Sequence, residues 1–314
     1  MIVKGDRKAF WMYEALLVRQ AYMLELNLES PDPSITPLER ERRRRLWWSC
    51  FTFDRQCCVI GGIGPSQMAP FEPFPVKLPA PDCYFNHAKA DDQLPRAPAE
   101  RSRRGHAIAL IGLMARIADC YVLESIHAQA ASSNLLFLGA ALEDWFASAP
   151  PGMMSLDGDA TDSTNPFSSG GDHDQSLWFR IQTNFFFHGT VILLYKSRLC
   201  QEIQANPTRF LYSSAFPACL ASSTAISELC QLMIKYDNPA FLYMDPFTNF
   251  CRFLAGWVAC IILRWGTLPE SVRLAQEQLD IIKSSLLAES QHSHVSKIFY
   301  SKLLLMRNSP LAHF

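Results

Sequence analysis

Three observations predict an all-α protein. Apolar residues recur at spacings of three and four through most of the chain, and no run alternates apolar and polar residues between hairpin turns. Capping residues and prolines bracket the periodic segments where helices should start and stop. The expected architecture is a single large multi-helix domain with an irregular Pro-rich crossing and a disordered insert. Its parts are an N-terminal helical half at 1–149, a flexible insert at 150–174 and a C-terminal helical half at 175–314.

Residues Ala9 to Leu28 keep helical spacing until Ser30-Pro31-Asp32-Pro33-Ser34 breaks it. Thr36-Pro37-Leu38-Glu39 restarts it. Threonine caps, proline fits the first helical position, and Glu39 completes a capping box. On the helix that follows, Leu46, Cys50, Phe53, Cys57 and Ile60 are expected to form one buried stripe, widened by Trp47, Phe51 and Cys58. Gly61-Gly62-Ile63-Gly64-Pro65 ends it. The Pro-rich stretch from Pro65 to Pro98 should cross the helical body, packing Phe71, Phe74, Leu78 and Tyr84 along it.

Helices resume from about Ser102 to Ala131 and from Asn134 to Ala147. The insert, rich in Gly, Ser, Asp, Thr and Pro, offers little to bury. Beyond it, Phe185, His188, Ile192, Tyr195 and Leu199 form a stripe, and Phe216 to Tyr236 supplies another. Asp245-Pro246 opens a segment, Phe247 to Trp265, that is apolar on nearly every face and is expected to be the central buried helix. Val272, Ala275, Leu279, Ile282 and Leu286 line a further helix, giving about nine in all.

Composition narrows the function. A formal net charge of −1 argues against the whole chain binding polyanions, which takes a clear Lys/Arg surplus. The ten cysteines lie singly apart from Cys57-Cys58, the pattern of reduced intracellular thiols. The start of the chain has no uninterrupted apolar core, and the run Phe253 to Leu263 is shorter than the roughly 20 residues of a membrane span.

No catalytic constellation emerges. There is no Gly-rich phosphate loop, Gly-x-Ser-x-Gly elbow or His-Glu-x-x-His. Cys50 and Cys57 share a spacing found in zinc clusters but sit on a helix stripe beside aromatics, so core packing is expected. His188 reads as a hydrogen-bonded core histidine, and His292-Ser293-His294 as a surface turn. Asp91-Asp92 is followed by Gln93-Leu94-Pro95, without the further carboxylate that a magnesium-binding helix needs.

Arg40-Glu41-Arg42-Arg43-Arg44-Arg45 runs into Leu46-Trp47-Trp48. Such a basic run could be an import signal or a DNA contact. Its helical setting, with Glu41 and Arg45 as an i, i+4 pair, predicts instead the solvated first turns of a helix buried further on. Arg101-Ser102-Arg103-Arg104 reads the same way. Asp54 falls at the edge of the Trp47/Phe51/Cys58 stripe, and a helix-anchoring ion pair to a distant arginine or lysine is its expected role.

Arg43-Arg44-Arg45-Leu46-Trp47-Trp48, followed by Asp54-Arg55, resembles the signature of the middle homology region of fungal transcription factors. The flanks are similar: Leu24 to Leu28 stands for a helix ending in a Gly-Leu-like step, and Phe187-His188 through Arg198 for an aromatic helix with a basic end. The family's Gly-Arg-Pro turn is replaced by Gly61-Gly62-Ile63-Gly64-Pro65. The resemblance covers roughly Ala9 to Trp265.

It implies an all-helical regulatory domain acting in a fungal nucleus, on metabolic or secondary-metabolite genes. Arg43, Arg44, Arg45, Trp47, Trp48, Asp54 and Arg55 would carry the signature as structural residues. No catalytic, cofactor-binding or metal-ligating residue is expected. Zinc would belong only to an absent N-terminal zinc binuclear cluster, and DNA would be reached through that domain or a partner protein. A small-molecule effector and a homodimer are compatible with the resemblance, and a membrane is not expected. The alternative readings are a helical enzyme of the prenyl-diphosphate type and a non-catalytic scaffold.

Overall fold

Helix boundaries fall largely where capping chemistry puts them. The computed structural model describes residues 7–61, 68, 76–81, 85, 102–124, 128–156, 177–207, 209–236 and 245–307. Among them lie nine α-helices and no strand, which makes the protein all-α as predicted. They are α1 (Arg7–Met23), α2 (Pro37–Gly61), α3 (Arg103–Glu124), α4 (Ala128–Ala147), α5 (Leu177–Ala205), α6 (Phe216–Tyr236), α7 (Pro246–Trp265), α8 (Pro269–Glu289) and α9 (His294–Met306).

The predicted cap of α2 is in place: the Glu39 N–H donates to Thr36 Oγ1 at 3.2 Å. Asp245 caps α7 by accepting from the Phe247 N–H at 2.7 Å, ahead of Pro246. Helix α1 ends at Met23, short of the expected Leu28. There Glu25 adopts a left-handed φ of 50°, and the Leu26 N–H reaches back to the Ala21 carbonyl at 3.0 Å, a Schellman closure. The helix expected from Ser102 to Ala131 stops at Glu124, and α4 starts at Ala128.

The chain divides into two compact units, 11–183 and 184–314 with 1–10, and the division falls inside α5. In the first, α3 packs on α2 and on α4. The core gathers Val18, Ala21, Leu26, Trp47, Trp48, Cys50, Phe51, Met68, Val76 and Ile108, with Leu78 against it. Helices α3 and α4 are joined by two reciprocal bonds. His106 Nε2 meets the Trp145 carbonyl at 2.8 Å, and Trp145 Nε1 donates to the His106 carbonyl at 2.8 Å. A carbonyl only accepts, so Nε2 carries the proton.

The second unit is built around α7. Every residue from Phe247 to Ile262 is buried, as its apolar composition predicts. The helix is long and apolar enough to cross a membrane, but 89% of its apolar window is buried inside the protein. Helices α6, α8 and α9 pack on it. Fully buried Arg252 of α7 donates to Glu289 of α8 at 2.6 Å and to Ser285 Oγ at 3.0 Å, and Ser296 Oγ of α9 donates to the other Glu289 oxygen at 3.0 Å.

Asp91-Asp92, Phe71, Phe74 and Tyr84 lie outside the described residues, as do 157–174 of the expected insert. The insert's start is anchored, not loose. Met153 is fully buried, and the Pro151 and Ser155 carbonyls accept from Arg103 at 2.7 Å and Arg180 at 3.1 Å.

Candidate functional site

Two faces of α2 carry the signature. Glu41, Arg45 and Trp48, at i, i+4 and i+7, meet the segment 76–81 with polar groups. Trp47, Phe51 and Asp54 are turned into the interior, where Tyr22 of α1 packs edge-on to Trp47 at 5.6 Å. This register corrects the expected stripe. Leu46 is 49% exposed, and the buried row runs through Trp47, about 100° around the helix.

The basic run is not a set of solvated first turns. Arg42 is exposed and lies 3.6 Å from Glu39, but its neighbours are turned inward. Arg43 donates to the Leu24 and Glu25 carbonyls at 2.6 and 3.3 Å, satisfying the open end of α1. Arg44 forms a two-pronged bond with Glu29, both contacts at 2.7 Å. Burial works to raise the Glu29 carboxyl, but Arg44 and the Lys77 N–H at 3.0 Å outweigh it and hold it below the usual range.

Arg45 donates to Glu41 at 3.0 Å and to the Ala80 carbonyl at 2.8 Å, with its guanidinium 4.0 Å above the Phe85 ring. The i, i+4 pair is the one predicted. Glu41, however, is fully buried and also accepts the Ala80 N–H at 2.8 Å. Trp48 Nε1 donates to the Lys77 carbonyl at 2.8 Å. The segment 76–81 therefore lies over one side of the first turns, burying Glu41 and leaving Arg45 15% exposed. A cleft beside Arg40, Arg43 and Arg44 has a volume of about 10 Å³, room for one water and no effector.

Asp54 sits in the interior and not at the stripe's edge, with no exposed surface. Its described neighbours come from α1, α2 and Met68. The Met68 N–H donates to it at 3.4 Å, its side chain is hydrogen-bonded to Glu14 of α1, and neighbouring Arg55 donates to the Met68 carbonyl at 3.1 Å. Burial, the bond to Asp54 and the charge of Asp54 push the Glu14 carboxyl up to about 8. Burial also lowers Arg55, against the pull of Asp54 and Asp119, and lifts the Cys58 thiol to about 12.

Sequence reading missed Glu14 and Glu29 and treated Glu41 as a surface partner. A charged residue at a core position of α1 was the available signal for Glu14. Glu29 sits just before the helix-breaking prolines and carried none. The thiols of Cys50 and Cys57 are buried in the core, and burial raises Cys50. His188 is half-buried, 3.4 Å from Ser222 Oγ, and burial lowers it to about 4. Ser293 of the His292-Ser293-His294 turn caps α9, accepting from the Ser296 N–H at 3.3 Å.

Comparison with known proteins bears on the same segment. Residues 1–147 match the model of the fungal specific transcription factor domain. Two curated fission-yeast (Schizosaccharomyces pombe) proteins are similar over shorter stretches. Thiamine repressible genes regulatory protein thi1 is 40% identical over 76 residues, 23% of this chain and 10% of its own length. An uncharacterized transcriptional regulatory protein is 43% identical over 56 residues, 14% of this chain and 6% of its own length. The matched segments thus span a tenth or less of those relatives. No solved structure matches. The part of the chain that is similar to the fungal specific transcription factor domain takes in α1 to α4 and the inward-turned signature of α2.

Proposed function

We propose that the chain is the regulatory domain of a fungal transcription factor, controlling transcription of metabolic or secondary-metabolite genes in the nucleus. The family match and the regulatory relatives support this reading. The observation that carries the mechanism is the direction of the basic run. Arg43, Arg44 and Arg45 hold carbonyls and carboxylates of their own unit, which turns them toward the protein and away from a phosphate backbone. DNA contact is assigned to a zinc binuclear cluster or a partner protein, with zinc confined to that cluster. Catalysis is not part of the reading. An effector or a second copy of the chain would act on the whole protein.

The test tethers the full chain to an unrelated DNA-binding module upstream of a reporter in a fungal cell. Transcription should change several-fold relative to the module alone, while the untethered chain shows no sequence-specific duplex binding at physiological salt. A tethered chain that is folded and nuclear yet leaves the reporter unchanged would defeat the reading.

A further inference from the structure

The segment 76–81 is held by side chains that bond to its backbone. The Lys77 N–H donates to Glu29 at 3.0 Å, and the Lys77 carbonyl accepts from Trp48 Nε1 at 2.8 Å. Three residues on, the Ala80 N–H donates to Glu41 and the Ala80 carbonyl accepts from Arg45, both at 2.8 Å. Between them Ser102 Oγ, just ahead of α3, donates to the Pro79 carbonyl at 3.1 Å. Every one of these bonds goes to a group that is present whatever side chain the position carries. Pro79 and Pro81 stand where no N–H is used, and they bias Leu78 and Ala80 away from helix. The interval from Lys77 to Ala80 equals one turn of polyproline II, which has three residues per turn.

An apolar pocket lies beside these backbone contacts. Leu78 packs against the core of the first unit, and a Cβ on Gly105 of α3 would come within 3.2 Å of Leu78 Cδ1. The missing side chain of Gly105 therefore gives Leu78 its room. Backbone bonds for affinity and a pocket for one side chain are the means by which proteins hold short peptides. We propose that this face of α2 is a docking groove for a proline-containing segment of a partner protein, and that residues 76–81 fill it in cis.

The seated segment defines what the partner must offer. It needs N–H and C=O groups at the positions of Lys77 and Ala80, an apolar residue at that of Leu78, and proline at those of Pro79 and Pro81. The Lys77 side chain is exposed, so its position is open to other residues. A segment of the same chain competes at an effective concentration on the order of millimolar, so the groove admits a partner when the cis segment is weakened or displaced. The inference rests on the first unit alone and holds whether or not the chain regulates transcription.

Fluorescence anisotropy of a labelled synthetic peptide of residues 75–82, titrated with the full chain, tests this. Lys77→Pro removes the N–H that Glu29 accepts and leaves every groove side chain in place. That variant should bind the peptide about tenfold more tightly than the wild type does. A peptide carrying Ala80→Pro, with no N–H for Glu41, should bind the same variant about tenfold more weakly. A folded variant that binds no peptide, or binds both peptides equally, would overturn the proposal. So would a variant that dimerises with rising concentration and excludes the peptide, because a second copy would then be the occupant. If Lys77→Pro does not fold, residue-resolved hydrogen exchange of the wild type decides. Excess peptide should speed exchange at the Lys77 and Ala80 amides and leave α2 protected, and unchanged exchange there refutes the groove.

Discussion

Glu25 stands where helix termination asks for glycine. It occupies the left-handed position of the Schellman closure after α1, at φ 50°, and that conformation costs an L-residue about 1–2 kcal/mol. The family's Gly-Leu step matches Glu25-Leu26 in this light: the glycine's task is conformational, and here a glutamate performs it under strain. Arg43 grips the Leu24 and Glu25 carbonyls, which belong to the backbone and survive substitution. Glu25→Gly should therefore stabilise the chain by about 1 kcal/mol, read as a higher urea midpoint with unchanged slope. A lower midpoint would show that the Glu25 side chain contributes more than its backbone strain removes. Residue identity did reveal the cap of α2, because Thr36, Pro37 and Glu39 act within one turn. It concealed Asp54, whose partners lie 40 and 14 residues away in the chain.

At the scale of elements, helix existence was legible and helix facing was not. Periodicity finds α6 and α7 almost to the residue, since their apolar faces are wide. The end of α3 at Glu124 and the start of α4 at Ala128 carried no signal, since the sequence has neither glycine nor proline near them. On α2 the apolar stripe misplaced Leu46, because the face gripping 76–81 is buried through polar groups that a hydrophobic pattern cannot register. Close helix contacts are equally silent in the sequence. A Cβ on Gly189 of α5 would overlap Cys251 Sγ of α7, and within a fully packed helix there is little room to yield. Gly189→Ala should cost about 1–3 kcal/mol in denaturant melts. Cys251→Ala in the same chain should recover part of that loss. Equal costs in the single and double variants would mean the helices do not meet there.

For the whole molecule, a near-neutral chain with four consecutive arginines poses a question of destination: solvent, a polyanion or the interior. Net charge argues against the second for the chain as a whole, and helical spacing pointed to the first, because it cannot register burial through polar groups. The structure leaves Arg42 in solvent and turns partly buried Arg43, Arg44 and Arg45 inward, onto carboxylates and carbonyls supplied by Leu24, Glu25, Glu29, Glu41 and the segment 76–81. Glu41 is the centre of that arrangement, because it accepts from Arg45 and from the Ala80 N–H, and lies 3.5 Å from Arg44. The most direct measurement is the urea unfolding of Glu41→Ala beside Arg42→Ala. Removing the buried carboxylate strands Arg45 and the Ala80 N–H and should cost about 2–4 kcal/mol. Removing exposed Arg42 should change stability by less than about 0.5 kcal/mol. Two variants equal within that margin would contradict the inward clamp and return the basic run to the surface.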